Sequence, residues 1–157
     1  MKIRQLERVK RLLKQGTSAR ALALGTTLGI LFGLFPVLGI TTWLIPLIAW
    51  RLRLNVALML ALSYLVWPLQ IVLIIPFLRL GEWIWAMPAF PFSVEKWMAT
   101  FKIGFWQGIH QFWTANLCAA WGWLVIGVPA GVMAYLLLIR IFALIIKRKK
   151  VEKPTIP

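Results

Sequence analysis

The sequence predicts an all-α integral membrane protein, a small polytopic helical bundle with broken or re-entrant helices and amphipathic interfacial helices. Of its 157 residues, 61% are hydrophobic, well above the roughly 45–50% that is typical of soluble domains. The apolar residues form continuous runs, whereas a membrane β-barrel alternates apolar and polar residues along each strand. Basic residues gather at the two ends: residues 1–20 hold seven Lys or Arg and one Glu, and residues 140–157 hold six and one.

The distribution of this charge predicts how the chain is oriented. The formal net charge is +14, and the basic ends flank apolar runs, as the positive-inside rule describes. We therefore expect a multi-pass protein of the bacterial inner (cytoplasmic) membrane with both termini in the cytoplasm. Nucleic-acid binding is the other common reason for such a charge. The flanking apolar runs make it the weaker interpretation, so no nucleic-acid partner is expected.

Residues 1–15 have the spacing of a basic amphipathic cytoplasmic helix. Its apolar positions recur at steps of three and four, with Lys and Arg between them. One interpretation is a helix lying on the cytoplasmic leaflet, where each cationic residue contributes about 1 kcal/mol of attraction to anionic lipid. The other is that the segment acts only as a topology signal, and the sequence leaves both open.

Residues 16–80 are predicted to form a broken-helix membrane core. After Gly16, Thr17 or Ser18 is a suitable N-cap for a helix over residues 19–34. Phe35-Pro36 interrupts it, Gly39 permits a sharp change of direction, and a second limb follows at residues 40–50. Both limbs are shorter than the roughly 20 residues that cross a bilayer, which favours a re-entrant pair or a tight hairpin.

Three glycines at four-residue spacing, Gly25, Gly29 and Gly33, form a stripe on the first limb. In lipid, such a stripe allows a second helix to approach closely, so we assign these residues to helix packing. The expected partner is a lane of small residues near the carboxyl end, formed by Ala115, Ala119, Gly127 and Gly131.

The rest of the core, residues 54–80, is interrupted at Trp67-Pro68. This interruption either repeats the first broken pair or kinks a single span. If the two halves are repeats, the matching breaks indicate a binding site, as in many transporters.

The remaining chain is predicted in three parts. Residues 81–112 are an interfacial loop and an amphipathic helix capped by Ser93, with an apolar face suited to the membrane surface. Residues 113–146 are a C-terminal membrane segment, which Pro129 either kinks or divides. Residues 147–157 are a basic disordered tail.

An ordered series of short matches resembles a known bacterial family of small inner-membrane domains, catalogued as domain of unknown function 2062. The matching residues are Gly16-Thr17-Ser18, Ala23-Leu24-Gly25, Leu28-Gly29, Gly33, Pro36-Val37-Leu38-Gly39, Leu52-Arg53-Leu54-Asn55, Pro68 and Leu80-Gly81. The resemblance covers residues 10–146 and departs from the family pattern at Ala19, where Pro is usual, and at Trp67, where Asn is usual. Because some members are fused to glycosyltransferase-like domains, it implies a lipid-linked substrate by analogy.

The titratable residues predict no catalytic or metal centre. The chain has no Asp, and its four acids, Glu7, Glu82, Glu95 and Glu152, all lie outside the predicted membrane core. His110 and Cys118 are the only residues of their types, and no nucleophile–base pair can be assembled from them. We therefore expect no enzyme activity, no cofactor and no metal.

The candidate ligand site combines the two breaks with nearby arginines. The second limb begins with free N–H groups, and the N-terminus of a helix attracts phosphate. The residues assigned to this site are Gly39, Thr41, Thr42, Arg20, Arg51, Arg53, Trp67 and Pro68. The alternative for the three arginines is ordinary positive-inside topology.

Together these features lead to two hypotheses for function. The first is a protein that binds, or translocates, an anionic lipid or lipid-linked molecule, with anionic membrane lipids as its partners. The second is a non-catalytic scaffold or assembly partner of a membrane enzyme, packing through small residues against another membrane protein or a second copy of itself.

Overall fold

A computed structural model of the protein describes residues 18–37, 39–90, 98, 102 and 104–151. The described residues form five helices and no strand, which confirms the all-helical prediction. The helices are α1 (Ala19–Gly33), α2 (Ile40–Leu52), α3 (Val56–Leu65), α4 (Trp67–Ile84) and α5 (Phe105–Val151). The predicted helix at 1–15, residues 91–97, 99–101 and 103 of the predicted interfacial loop and amphipathic helix, and residues 152–157 of the predicted tail lie outside the described residues.

Two of the helices, α4 and the part of α5 up to Arg148, are long and apolar enough to cross a membrane. The other three have 15, 13 and 10 residues. At 1.5 Å per residue, α1 extends about 22 Å and α5 about 70 Å. A hydrocarbon core is about 30 Å thick, so α1 is too short to cross it unaided, whereas α5 is more than twice that length.

Local sequence explains where α1 and α2 begin and end. The hydroxyl of Ser18 accepts a hydrogen bond from the Ala21 N–H at 3.1 Å, the N-cap arrangement that satisfies a free amide. Gly39 precedes α2 with φ 86°, a left-handed conformation that suits glycine. Arg53 ends α2 with φ 55°, and the next N–H donates to the Ala49 carbonyl at 2.8 Å. This is the six-to-one bond of a Schellman motif.

The glycine stripe packs against α3. A Cβ added to Gly29 would lie 2.9 Å from the Met59 Cα, and one added to Gly33 would lie 2.6 Å from the Ser63 Cα. Contact positions rise together along both helices, so α1 and α3 run parallel. Between them in sequence, α2 returns the chain, and its Ala49 belongs to the same apolar cluster as Met59.

The carboxyl-terminal lane has a different partner from the one predicted. Gly127 and Gly131 receive the side chain of Leu31, which would lie 3.3 Å from a Cβ at either position. Leu31 and the glycine stripe occupy opposite faces of α1, so α1 lies between α3 and α5. A glycine stripe does not have to pack against another glycine stripe, because a large side chain or a helix backbone fills its groove equally well.

Helices α4 and α5 pack antiparallel at two points of very close approach. A Cβ at Gly81 would lie 1.8 Å from the Cys118 carbonyl oxygen, and one at Gly122 would lie 2.0 Å from that of Phe77. This packing explains why Gly81–Ile84 belong to α4, although the sequence predicts a loop from residue 81. The apolar contact with α5 offsets the low helix propensity of Gly81.

Helix α5 is also longer than the sequence predicts. It continues through the expected boundary at residues 112 and 113, through Pro129, and on to Val151, within the segment predicted to be disordered. Pro129 lies inside the helix, although proline removes one intrahelical hydrogen bond. Cationic side chains at the carboxyl end favour continuation, since they complement the helix dipole.

Candidate functional site

The site begins at the break between α1 and α2, residues 34–39. The Leu34 N–H donates to the Ile30 carbonyl at 3.0 Å, and the Phe35 N–H donates to Phe32 at 3.1 Å. The N–H that Pro36 lacks is the usual donor to Phe32, which accepts from Phe35 instead. The Leu31 carbonyl is then left with a longer bond of 3.3 Å from the Leu34 N–H. In a membrane, such carbonyls need donors from elsewhere in the protein.

Two side chains from the longer helices supply those donors. The indole Nε1 of Trp123 donates to the Leu31 carbonyl at 3.1 Å, and the Nε2 of Gln70 donates to the Phe35 carbonyl. Both donors are buried, with 7% of Trp123 and 4% of Gln70 exposed. They connect α4 and α5 directly to Phe35 and Leu31 at the carboxyl end of α1.

Aromatic packing reinforces the same point. The Trp123 ring meets Phe35 edge to face at a centroid distance of 4.9 Å and stacks near Phe32 at 6.4 Å. Such pairs contribute about 0.5–1.5 kcal/mol beyond the area they bury. The break is therefore stabilised by aromatic contacts as well as by hydrogen bonds.

The other side of the break is the N-terminus of α2. No side chain caps it among the described residues, and a Cβ at Gly39 would meet nothing within 4 Å. Thr42 is exposed and Thr41 half-buried. Among the described residues, the structure thus leaves open space beside Gly39 of the predicted ligand site.

An apolar groove, here called the break groove, lies next to this N-terminus. Its volume is about 450 Å³, within the range of small-molecule pockets. It is lined by Pro36, Val37, Ile40, Ile74, Leu78, Phe112, Trp113, Ala115, Asn116 and Ala119. The Asn116 amide is engaged with the Phe112 carbonyl at 2.8 Å, so the groove offers mainly hydrocarbon contacts.

The three arginines of the predicted site lie at the opposite end of α1. Arg20 is in its first turn, Arg51 and Arg53 are at the end of α2, and all three are exposed. Ala21 packs against the cluster that contains Ala49, so the start of α1 is beside the end of α2. We call this the arginine end.

The predicted ligand site is therefore divided in two. Thr41 and Arg51 are ten positions apart along α2, about 15 Å at 1.5 Å per residue. One phosphate cannot contact both groups. Trp67 and Pro68 lie on the break side of α1, because the neighbouring Val66 meets Gly33, and both are exposed.

The second break is milder than the first. Only Val66 separates α3 from α4, and its φ of −87° and ψ of −1° remain close to helical. Its N–H donates to Leu62 at 3.1 Å, and its carbonyl accepts from the Gln70 N–H at 3.0 Å. Hydrogen bonding therefore continues from α3 into α4 through Val66.

Sequence reasoning did not identify Gln70 or Trp123 as site residues. The available signals were a single amide in the apolar stretch around residue 70 and an indole that interrupts a lane of small residues. Neither signal names a partner, because the carbonyls that these residues bind are 35 and 92 positions away.

A buried carboxylate lies at the far end of α4. Glu82 accepts from Arg79 at 2.8 Å and from the Phe90 N–H at 2.8 Å, one bond to each oxygen. The sequence places this acid outside the membrane core, but it is 4% exposed and belongs to a helix able to span. The bond to Phe90 holds that residue against the carboxyl end of α4. The Cys118 thiol and the Met87 sulfur are in contact close by.

These groups form no array suited to a metal ion: within the described ranges no three His, Cys, Asp or Glu side chains come together. The chemistry at the break is instead that of hydrogen-bonded carbonyls, an uncapped helix N-terminus and hydrocarbon surface.

Comparison with known proteins identifies the family. Neither the curated proteins nor the solved structures include a significant match to this chain. The model of one bacterial family, described as "Uncharacterized protein conserved in bacteria (DUF2062)", matches residues 4–150. That match covers nearly the whole sequence, and the chain belongs to this family.

Proposed function

We propose that the protein is a multi-pass inner-membrane protein that binds anionic lipid through its arginine end. The observation that carries the proposal is the grouping there of Arg20, Arg51 and Arg53, all exposed. Glu82 is the one carboxylate in the described part of the chain, and it is paired with Arg79 beyond the break. Three exposed cations with no carboxylate beside them among the described residues favour an anionic partner.

Lipid phosphate suits this end chemically. Arginine presents a planar set of donors that can bind a phosphate through two hydrogen bonds. The cytoplasmic leaflet is negatively charged, and each cationic residue near its surface contributes about 1 kcal/mol of attraction. The predicted alternative of a scaffold role needs no such charge, so changing the charge separates the two functions.

We expect neutralising the arginine end to reduce retention of anionic lipid. The test variant combines Arg51→Gln with Arg53→Asn, since asparagine tolerates the left-handed conformation at position 53. Protein in nanodiscs of phosphatidylglycerol and phosphatidylethanolamine would be released into native mass spectrometry and its bound lipids counted. The wild type should retain phosphatidylglycerol preferentially, and the variant should lose that preference.

The matched control is Arg51→Lys with Arg53→Lys, which keeps the charge and should keep the preference. Equal phosphatidylglycerol enrichment in wild type and the neutral variant would contradict the proposal. A co-purified membrane protein that survives the charge change would instead favour the scaffold role.

We further propose a topology in which α1 and α2 enter from the cytoplasm and return, α3 and α4 cross outward, and α5 crosses back. Three features support it. The start of α1 and the end of α2 are adjacent, α5 runs antiparallel to α4, and exposed tryptophans such as Trp83 and Trp106 gather where α4 ends and α5 begins. Tryptophan favours the membrane interface, so this end suits the outer surface.

Cysteine accessibility in intact cells would test this topology. In a Cys118→Ala background, Arg53→Cys should be protected from a membrane-impermeant maleimide, whereas Ala89→Cys should react. Each position should react after permeabilisation, which controls for burial. Labelling at position 53 in intact cells would rule out the in-and-back arrangement of α1 and α2.

A further inference from the structure

We propose that a second groove, between α1, α4 and α5, holds a hydrocarbon chain of an anionic glycerophospholipid whose phosphate contacts Arg20. This inference deepens the proposed function and rests on it for the choice of an anionic lipid. We call the site the chain groove. It is distinct from the break groove, with which it shares no lining residue.

The chain groove is suited to hydrocarbon. Its volume is about 360 Å³, comparable with small-ligand pockets. It is lined by Thr27, Ile30, Leu31, Leu34, Leu73, Pro76, Phe77, Trp123, Ile126, Gly127, Ala130, Gly131 and Ala134. Gly127, Ala130 and Gly131 contribute almost no side chain to its α5 wall, so the groove owes its depth to small residues between larger ones.

One polar group in the groove wall is left unsatisfied. Thr27 is 5% exposed, and its hydroxyl has no hydrogen-bond partner among the described residues. A buried hydroxyl without a partner costs about 1–3 kcal/mol, and a threonine inside a helix usually avoids this by bonding to its own backbone. A rotated Thr27 hydroxyl would find an acceptor in the ester oxygens of a lipid.

Arg20 lies on the same face of α1 as the groove. Thr27 and Leu34 follow it at intervals of seven residues, which is two helical turns, so all three share one face. Thr27 lies about 10 Å and Leu34 about 21 Å from Arg20 along the helix axis. One leaflet of a hydrocarbon core of about 30 Å is about 15 Å deep. A lipid with its phosphate at Arg20 would therefore place its chain beside the groove.

Photocrosslinking would test the placement of the chain. The wild-type protein would be reconstituted in phosphatidylcholine vesicles that contain phosphatidylglycerol with a diazirine in its acyl chain. Adducts mapped by mass spectrometry should concentrate on Ile126 and Ala130. The opposite face of α5, at Val132 and Leu136, is exposed but lines neither groove and should carry fewer. Equal labelling of the two faces would overturn the chain groove.

Variants separate the groove from the headgroup contact. Ala130→Phe fills the groove and should abolish adducts at Ile126, whereas Val132→Phe, the matched control on the opposite face, should leave them unchanged. Arg20→Gln should reduce groove adducts from the phosphatidylglycerol probe. If a phosphatidylcholine probe labels the groove equally well, the groove stands and the preference for anionic lipid fails. Persistence of Ile126 adducts in Ala130→Phe contradicts the groove itself.

Discussion

Replacing Gly81 or Gly122 with alanine should destabilise the protein more than the same replacement at the glycines of α1. The new Cβ would lie 1.8 Å from the Cys118 carbonyl oxygen in the first case and 2.0 Å from that of Phe77 in the second. Both obstacles are backbone atoms within helices, so no side chain can rotate away. The helices α4 and α5 would have to separate along their whole contact.

Such overpacking costs roughly 1–3 kcal/mol and occasionally more, and we expect about 3 kcal/mol for either variant. The measurement is the midpoint of unfolding by sodium dodecyl sulfate in mild-detergent micelles, followed by helical circular dichroism. Gly25→Ala is the matched control, since this glycine is also buried and helical, but its Cβ would meet its neighbours at an ordinary 3.9 Å.

The control should be neutral or slightly stabilising, because alanine has the higher helix propensity. If Gly81→Ala and Gly122→Ala unfold at the same detergent concentration as Gly25→Ala, α4 and α5 do not pack through these glycines.

Removing the two donors at the break is the second change with a large expected effect. Gln70→Leu leaves the Phe35 carbonyl without its side-chain donor, and Trp123→Phe does the same to the Leu31 carbonyl while it keeps an aromatic ring in place. A buried acceptor that loses its partner costs about 1–3 kcal/mol. We expect Gln70→Leu to lower the free energy of unfolding by that amount and Trp123→Phe to lower it by less, because the Leu31 carbonyl keeps a 3.3 Å bond from the Leu34 N–H.

The same detergent titration measures the effect, and limited proteolysis at residues 34–39 reports whether the break itself has loosened. Trp83→Phe is the control for the indole, because that residue is 79% exposed and should tolerate the change. Unaltered stability together with an unaltered cleavage rate would show that the break does not depend on these two hydrogen bonds.

The break and the arginine end lie at opposite ends of α1, so variants can test the two separately. The sequence predicts one site for the arginines Arg20, Arg51 and Arg53 and the break residues Gly39, Thr41 and Thr42, but α2 separates the two groups. Variants at the arginine end should therefore alter lipid preference without loosening the break. Gln70→Leu should do the reverse, provided that the folded fraction is compared.

The sequence by itself determined the helical class, the family and the first break. These follow from local signals: an apolar run with a hydroxyl cap at Ser18, the missing N–H of Pro36, and the permitted left-handed turn at Gly39. Each signal acts within one or two helical turns, so the sequence predicts residues 19–34 and 40–50 close to the observed α1 and α2. The sequence does not predict the extent of α5, because Pro129 and the basic residues after 146 are ambiguous without neighbours.

Only the tertiary structure decided what each surface meets. The stripe of Gly29 and Gly33 accepts α3, and Leu31 on the opposite face fills the gap at Gly127 and Gly131. A stripe without side chains permits close approach but does not specify the partner, since any surface of matching shape can fill it. Likewise, a polar side chain such as Gln70 must find an acceptor in an apolar interior, and the fold alone determines that this acceptor is the broken end of α1.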